Sequence, residues 1–360
     1  DPLNASGHRA AAWYYNQQKD FAAMLACAQR AVKLDPNDSE NQFTLASALS
    51  SSGAYEAARQ AASCAIALSP KHSRYYLCRA HDQIDLVRFE EALKDCRRAR
   101  EVNPNSVFSY YQEARAWIGI QSFDKVLPLY DEAIKHIGEP KSLGPNANKA
   151  LTEAEIRIMK AYAIRAQPEK DEPGTKAKLG EAELNHAQAL IAPMRCDVVW
   201  GAQAHFLDGL AMLARGNAPE AITHFATASR LKPRWPHPHL LQATAYQAIS
   251  KMPEARREAE IACLLAPQSS AALGKLSLGQ LTMGQPAMAC KTALKAIKLN
   301  DRQSDAWATL AFCGQQNASE GQAQNYISDP SILFAERAIA LAPLNPAGHM
   351  AMAWLQLNNK

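Results

Sequence analysis

Apolar residues recur three and four positions apart along most of this chain, the spacing of an amphipathic helix with one buried stripe. A second, longer period is laid over it. Ala31, Ala65, Ala99 and Ala133 are 34 residues apart, and Ala228, Ala262 and Ala296 repeat the step. Nineteen positions before each of these lies another small residue: Ala12, Ala46, Ala80, Ala114, Gly209, Ala243 and Ser277. Seven positions before them Ala58, Ala92, Ala221, Ala255 and Ala289 keep the pattern, and Met24 and Val126 depart from it. Small side chains are what two antiparallel helices need where they cross closely. Larger apolar residues fill the layers between: Leu45, Leu276 and Leu310 on first helices, and Phe21, Tyr55 and Phe89 at the start of second ones.

Each unit is therefore predicted to be a helix, a short turn and an antiparallel helix. Gly53, Gly216 and Gly284 sit in the turn, where a left-handed residue ends the first helix. Pro36, Pro70, Pro104, Pro233 and Pro267 follow the second helix, which proline cannot continue. Two insertions break the period. Ala133 to Ala228 spans 95 residues, two periods and a further 27, enough for an additional helix pair. Thr152-x-x-Glu155 reads there as a capping box opening one helix, and Lys176 to Ile191 reads as the other, with Gln167–Thr175 as a long loop. Ala296 to Ala338 spans 42 residues, one period and 8 more, with the excess near Gln315–Asp329. Both read as tolerated insertions between structured helices.

A helix–turn–helix unit of 34 residues carrying Phe21…Ala31-Val32-Lys33-Leu34-Asp35-Pro36-Asn37, Tyr55-Glu56-Ala57-Ala58…Ala65…Pro70 and Phe89-Glu90-Glu91-Ala92-Leu93…Ala99…Pro104 resembles the tetratricopeptide repeat family. The resemblance implies an all-α fold, an α-solenoid coiled as a right-handed superhelix of stacked helix pairs. Regular repeats fall at 5–38, 39–72, 73–106, 107–140, 202–235, 236–269 and 270–303, with an irregular repeat at 141–201. A repeat with a short insertion follows at 304–345, and a lone terminal helix occupies 346–360. At roughly 150 residues per domain, 360 residues would make two or three globular domains. Counted in steps of 34, the same length makes one continuous array.

Composition narrows the function. The chain is 48% hydrophobic and 21% charged, with 16 Gly and 20 Pro, which excludes collagen-like and disordered classes. A net charge of +4 is too mild for a nucleic-acid or membrane-surface footprint, and no apolar run is long enough to span a membrane. The eight cysteines (Cys27, Cys64, Cys78, Cys96, Cys196, Cys263, Cys290, Cys313) are widely and irregularly spaced, so they read as small buried thiols of a cytoplasmic protein. Asn4, Asn37 and Asn317 begin glycosylation-like triplets, which matter only in a secreted chain.

No phosphate loop, nucleophile elbow, zinc-protease or dinucleotide motif is present, and the chain reads as a non-enzyme without cofactor. His237 and His239 could pair on a metal, but without a nearby third ligand they read as a solvated inter-repeat turn. Arg97, Arg98 and Arg100, beside Glu90, Glu91, Asp95 and Glu101, read as an outer face laced with ion pairs.

Binding is the remaining chemistry. In the family that this chain resembles, first helices line a concave wall that grips a peptide. The wall positions of the first four repeats hold Arg9, Trp13, Asn16, Gln17, Phe43, Ser47, Arg74, Leu77, His81, Asp85, Phe108, Tyr111 and Arg115. Exposed aromatics beside arginine are what binding hot spots favour. Arg9, Trp13, Phe43, Arg74, His81, Phe108, Tyr111 and Arg115 are therefore the candidate partner-binding residues, and their charge favours a ligand with acidic groups. The carboxylate clamp that some family members use for chaperone C-termini needs Lys and Asn where this chain has Arg9 and Trp13, so that ligand is disfavoured. The expected function is a protein–protein interaction scaffold. An alternative is the recruiting arm of a larger enzyme or regulator, since both ends of the chain look cut. A further reading is self-association through the apolar face Met350, Ala353, Trp354 and Leu357 of the last helix.

Overall fold

The computed structural model describes residues 4–144, 147–167, 174–319, 330–342 and 345–358, and its elements there are all helical. Six hairpin pairs come first: α1 (Ala5–Gln17) with α2 (Phe21–Leu34), α3 (Ser39–Ser51) with α4 (Tyr55–Leu68), and α5 (Ser73–Asp85) with α6 (Phe89–Val102). They continue as α7 (Val107–Gly119) with α8 (Val126–His136), α9 (Lys149–Ala166) with α10 (Thr175–Ile191), and α11 (Gly201–Arg215) with α12 (Ala218–Leu231). Then come α13 (Pro236–Ala248) with α14 (Met252–Leu265), α15 (Ser270–Thr282) with α16 (Pro286–Leu299), and α17 (Ser304–Ser319) with α18 (Pro330–Leu341). The last helix, α19 (Pro346–Asn358), packs on α17 and α18. Contacts divide the chain into two compact units, Asp1–Ser51 with Tyr55–Trp235, and Ser52–Ala54 with Pro236–Lys360. Within each unit neighbouring pairs pack repeatedly on one another, the arrangement of an α-solenoid.

The small-residue register is the contact surface within each pair. Ala31, Ala65, Ala99, Ala133, Ala228 and Ala296 are fully buried, as are Ala12, Ala46, Ala80, Ala114, Ala243 and Ser277. Met24 and Val126, the two departures, are also fully buried, so a larger side chain is accommodated where Ala is usual. Gly209 shows how tight the crossing is. A Cβ added there would lie 2.5 Å from Phe225 Cε1 on the paired helix.

The turn between paired helices is set by one left-handed residue in each regular repeat. Gly53, Gly216 and Gly284 have φ of 81°, 79° and 72°, as their spacing predicts. Lys19, Val87, Gln121 and Ser250 hold the same repeat position at φ of 58°, 60°, 63° and 60°. The turn geometry thus persists without glycine. Valine is the costliest of these residents, because a branched Cβ crowds the backbone at positive φ.

Local chemistry explains the irregular ends. Asp20, Asn217 and Ser269 accept backbone N–H bonds from the first turns of α2, α12 and α15. Pro128 has no N–H to offer Asp124, and residues Phe123–Lys125 form a 3-10 turn ahead of α8. Two expectations are corrected. The inserted helix α9 is capped by Asn148, whose Oδ1 accepts from Leu151 N, so Thr152-x-x-Glu155 lies inside the helix rather than opening it. His237 and His239 lie in the first turn of α13, not on a solvated turn, and His239 Nδ1 is 2.7 Å from Glu258 Oε2. The excess residues near 315–329 begin within α17, and residues 320–329 lie outside the described residues, as do 168–173 of the loop at 167–175.

Ion pairs tie neighbouring repeats together, and in the third repeat they also tie α5 to α6. Arg9 bonds Asp38 at 2.5 Å and Asn41 at 2.9 Å, Arg74 pairs with Glu40, and Arg100 pairs with Glu113. Arg79 forks onto Asp95 at 2.7 and 2.8 Å. The cluster of arginines on α6 is therefore laced with carboxylates, and its ties reach α7 as well as the solvent face. Among the cysteines, Cys96 and Cys313 are buried, whereas Cys64 and Cys196 are exposed, and all eight are free thiols.

The first unit also meets itself. Phe21, Met24 and Ala28 of its first pair share one apolar cluster with Ala202, Ala228 and Trp235 of its sixth. Trp235 packs against Phe206 in a tilted pair at 4.6 Å and lies under the Lys19 ammonium at 5.2 Å. Arg234 reaches Asp20 at 2.5 Å, and Lys232 reaches Gln18 at 3.0 Å. In the second unit, Ala347, Ala351 and Leu355 of α19 are buried, and Met350 and Leu357 are exposed.

Two substitutions probe these constraints in opposite directions. Val87→Gly is expected to stabilise the fold by about 1 kcal/mol, by relieving left-handed strain. Gly209→Ala is expected to cost about 1–3 kcal/mol, by pushing Phe225 out of its crossing. Urea denaturation followed by circular dichroism checks both, and equal midpoints for Val87→Gly and wild type would refute the first.

Candidate functional site

First helices α1, α3, α5 and α7 turn one face toward a common cavity of about 1090 Å³ in the first unit. Its floor and walls carry Trp13 from α1, Phe43 from α3, Arg74 and His81 from α5, and Phe108 from α7. These five of the eight expected residues are brought together, and every one comes from the repeat positions expected to face the wall. The side closed by the turns carries Lys71 and His72 before α5, Asn103 before α7, and Lys141–Gly144 after α8. Asn103 Nδ2 donates to Lys141 O at 3.0 Å, and Val107 N donates to Ser142 O at 3.1 Å, which fastens that segment over the start of α7.

The aromatic lining is packed ring against tilted ring rather than freely exposed. Trp13 and Phe43 lie 5.9 Å apart, Phe43 and Tyr75 5.2 Å, and His72 and Tyr75 5.1 Å. The Arg74 guanidinium sits 5.0 Å over Phe43 and 5.6 Å over Tyr75 while pairing with Glu40. Phe43 is 9% exposed and Trp13 and Phe108 are half-buried, so these rings are less exposed than their wall positions suggest. Trp13 and Phe43 are each partly covered by a ring of the next repeat, Phe43 and Tyr75 respectively. Tyr75 donates to Glu40 Oε1 at 2.5 Å, and burial together with that carboxylate raises its phenol above the ordinary value.

Three expected residues stand outside the lining. Arg9 is engaged at the junction with the second repeat by Asp38 and Asn41. Tyr111 is buried and donates its hydroxyl to Glu155 Oε1 of the inserted helix α9 at 2.8 Å. Arg115 donates to Gln112 Oε1 at 3.0 Å and to His81 Nδ1 at 2.8 Å, and lies 3.4 Å from Asp85. The arginine therefore holds the network together, behind the cavity wall instead of on it. Burial raises the Tyr111 phenol well above its ordinary value, with Glu155 adding to the shift.

Electrostatics give the cavity a sign. Its described lining includes Lys71, Arg74 and Lys141, two histidines, and no carboxylate. Lys71 and Lys141 are exposed cations on turns. Reading only first-helix positions missed them. They follow the second helices of the second and fourth repeats, so counting the turn after each second helix would have found them.

Outside the cavity, His205, Asp208 and His224 bring potential ligand atoms within 4.8 Å of one another. No helix among the described residues is long and apolar enough to cross a membrane. Compared with known proteins, residues 10–38 match the family model described as tetratricopeptide repeat. No curated protein matches the chain.

His81 makes the network sensitive to pH. Its Nδ1 accepts from Arg115, and its Nε2 faces Asp85 Oδ2 at 3.2 Å, which fits a neutral ring protonated on Nε2. Burial, with Arg115 adding and Asp85 opposing, holds the imidazole below its ordinary 6.5. Unfolding restores that value, so between the two values the unfolded chain carries the extra proton. The stability that this ring contributes is fully present above pH 6.5 and is lost as pH falls below it. His81→Gln is expected to flatten that part of the denaturation-midpoint profile relative to wild type. The His81 ring resonance should titrate below 6.5, and a midpoint above it would refute the assignment.

Proposed function

The chain carries a tetratricopeptide repeat at residues 10–38, a protein-interaction module, and from this premise we propose a non-enzymatic scaffold that holds an acidic peptide segment of a partner protein in the α1–α7 cavity. The observation that carries this reading is the lining itself: partly covered aromatic faces beside Lys71, Arg74 and Lys141, with no acidic residue among the described lining. Aromatic edges supply apolar area at low entropic cost, and unmatched cations supply steering and register. Arg74 is already bonded to Glu40, so it orients a ligand less strongly than the two lysines, which carry the net attraction.

A cavity of about 1090 Å³ takes a short run of side chains rather than a folded domain. Trp13, Phe43 and Phe108 then grip apolar side chains of the segment, and its carboxylates meet Lys71 and Lys141. Arg115 contributes indirectly, by keeping His81 and Gln112 in place at the wall, and Tyr111 does so by tying α7 to Glu155 of α9.

Arrays of fluorescent peptides mixing Asp or Glu with Leu or Phe, beside their Lys-substituted counterparts, test the reading. Wild type is expected to retain the acidic set, with affinity falling as salt rises. The double variant Lys71→Glu/Lys141→Glu should bind that set at least about tenfold more weakly. Its circular dichroism should be unchanged, because both side chains are exposed. A preference for the basic set, or equal binding by the charge-reversed variant, would overturn it.

A further inference from the structure

In the regular repeats, position 7 of the first helix faces position 23 of the second, and position 4 lies one turn away on the same face. In two repeats these sites carry an internal cross-link, whereas Glu113, position 7 of the 107–140 repeat, pairs instead with Arg100 of the repeat before it. Arg79 and Asp95, positions 7 and 23 of the 73–106 repeat, bond at 2.7 and 2.8 Å. His239 and Glu258, positions 4 and 23 of the 236–269 repeat, meet at 2.7 Å. Each is a complete pair, a cation or donor matched to a carboxylate.

The 202–235 repeat is different, because all three positions carry metal-ligand types. His205 and His224 turn their Nδ1 atoms toward each other at 3.3 Å, and His224 Nδ1 is 3.9 Å from Asp208 Oδ2. A neutral imidazole has one N–H, and two Nδ1 atoms face each other here, so a single hydrogen bond uses at most one donor. Tetrahedral zinc with nitrogen ligands at 2.0–2.1 Å separates ligand atoms by about 3.3–3.4 Å, and the two nitrogens already stand at that separation. Asp208 is fully buried, and Arg195 grips both its oxygens at 2.7 and 3.0 Å. Each carboxylate oxygen has a second lone pair, so Arg195 can orient the ligand while Oδ2 still serves a metal.

We propose that His205, Asp208 and His224 bind one divalent transition-metal ion of the zinc class, pinning α11 to α12, with water as the fourth ligand. Two imidazoles and one carboxylate suit zinc and exclude calcium or magnesium, which take all-oxygen shells. His224 is 19% exposed, so the site is reachable from solvent. The ion would take the place that ion pairs hold in the sister repeats, and the proposal is independent of the peptide cavity.

The test uses the full chain, untagged and stripped with a chelator. Zn2+ is titrated against a chromophoric competitor, and Co2+ is followed by its visible tetrahedral band. Wild type is expected to take up one equivalent, and His205→Gln/His224→Gln to bind at least about tenfold more weakly. His237→Ala, on the first turn of α13, should bind as wild type does. Ring-nitrogen spectra of the unsubstituted protein give a second readout, in which zinc should shift the Nδ1 signals of two histidines, assigned as His205 and His224. Failure to saturate at one equivalent, uptake undiminished in the double variant, loss in His237→Ala, or shifts at other histidines would each overturn the proposal.

Discussion

Two helices can bring their backbones together only where the side chain between them is no larger than a methyl group, and most of this protein is organised around that restriction. Ala12, Ala46, Ala80 and Ala114 place it once per repeat on first helices, and Ala31, Ala65, Ala99 and Ala133 answer from the second helices. A methyl contributes little apolar area by itself. Its value lies in letting Phe21, Tyr130 and Phe225 reach across the crossing and bury their rings almost completely. Gly209 is the limiting case, where Phe225 occupies the space a methyl would take. Left-handed turns then return each second helix at the angle that these crossings require. The conformation is retained at Lys19, Val87, Gln121 and Ser250, so packing outweighs the cost of positive φ on non-glycine residues.

Once the small face of a first helix is consumed by pairing, its opposite face is left to larger and more polar residues. The first unit uses that face in two ways. From Trp13 to Phe108 it lines a cavity with a one-signed set of charges. From Tyr111 to Arg115 it is filled, because α9 delivers Glu155 to the Tyr111 hydroxyl and Arg115 takes Gln112 and His81. The inserted helix α9 thus covers the Tyr111 part of that face. Contact between the first and sixth pairs, through Trp235, Phe206 and Phe21, holds the unit closed on itself.

What is legible in the sequence is whatever repeats. Helix pairing, the register of small residues and the glycine turns all recur at a fixed step, so each copy corroborates the others. Five cavity residues follow from the same step, since Trp13 and His81 occupy one repeat position and Arg74 and Phe108 another. What happens once is opaque. Tyr111 and Arg115 look like further copies of wall positions, and only a contact with a residue 44 positions away removes Tyr111 from the wall. Thr152-x-x-Glu155 satisfies a capping pattern, yet apolar Leu151 already belongs to the stripe continued by Ala154, Ile158 and Ala161, so the helix starts earlier, at Asn148. Aromatic exposure is equally hidden, because Phe43 is covered by neighbours in adjacent repeats.

The repeat also separates what must be kept from what is free to change. Crossing positions tolerate few side chains, whereas positions 4, 7 and 23 hold Arg with Asp in one repeat, His with Glu in another, and two His with Asp in a third. A partly buried ion pair gives little net stability, since desolvation offsets most of the Coulomb gain. Exchanging one polar set for another therefore costs little as long as every buried group keeps a partner. Such sites can acquire chemistry without touching the packing that defines the fold. The cavity obeys the same logic: Lys71 and Lys141 lie on turns, where charge is unconstrained by helix crossing, and so much of its positive charge is set outside the repeating pattern.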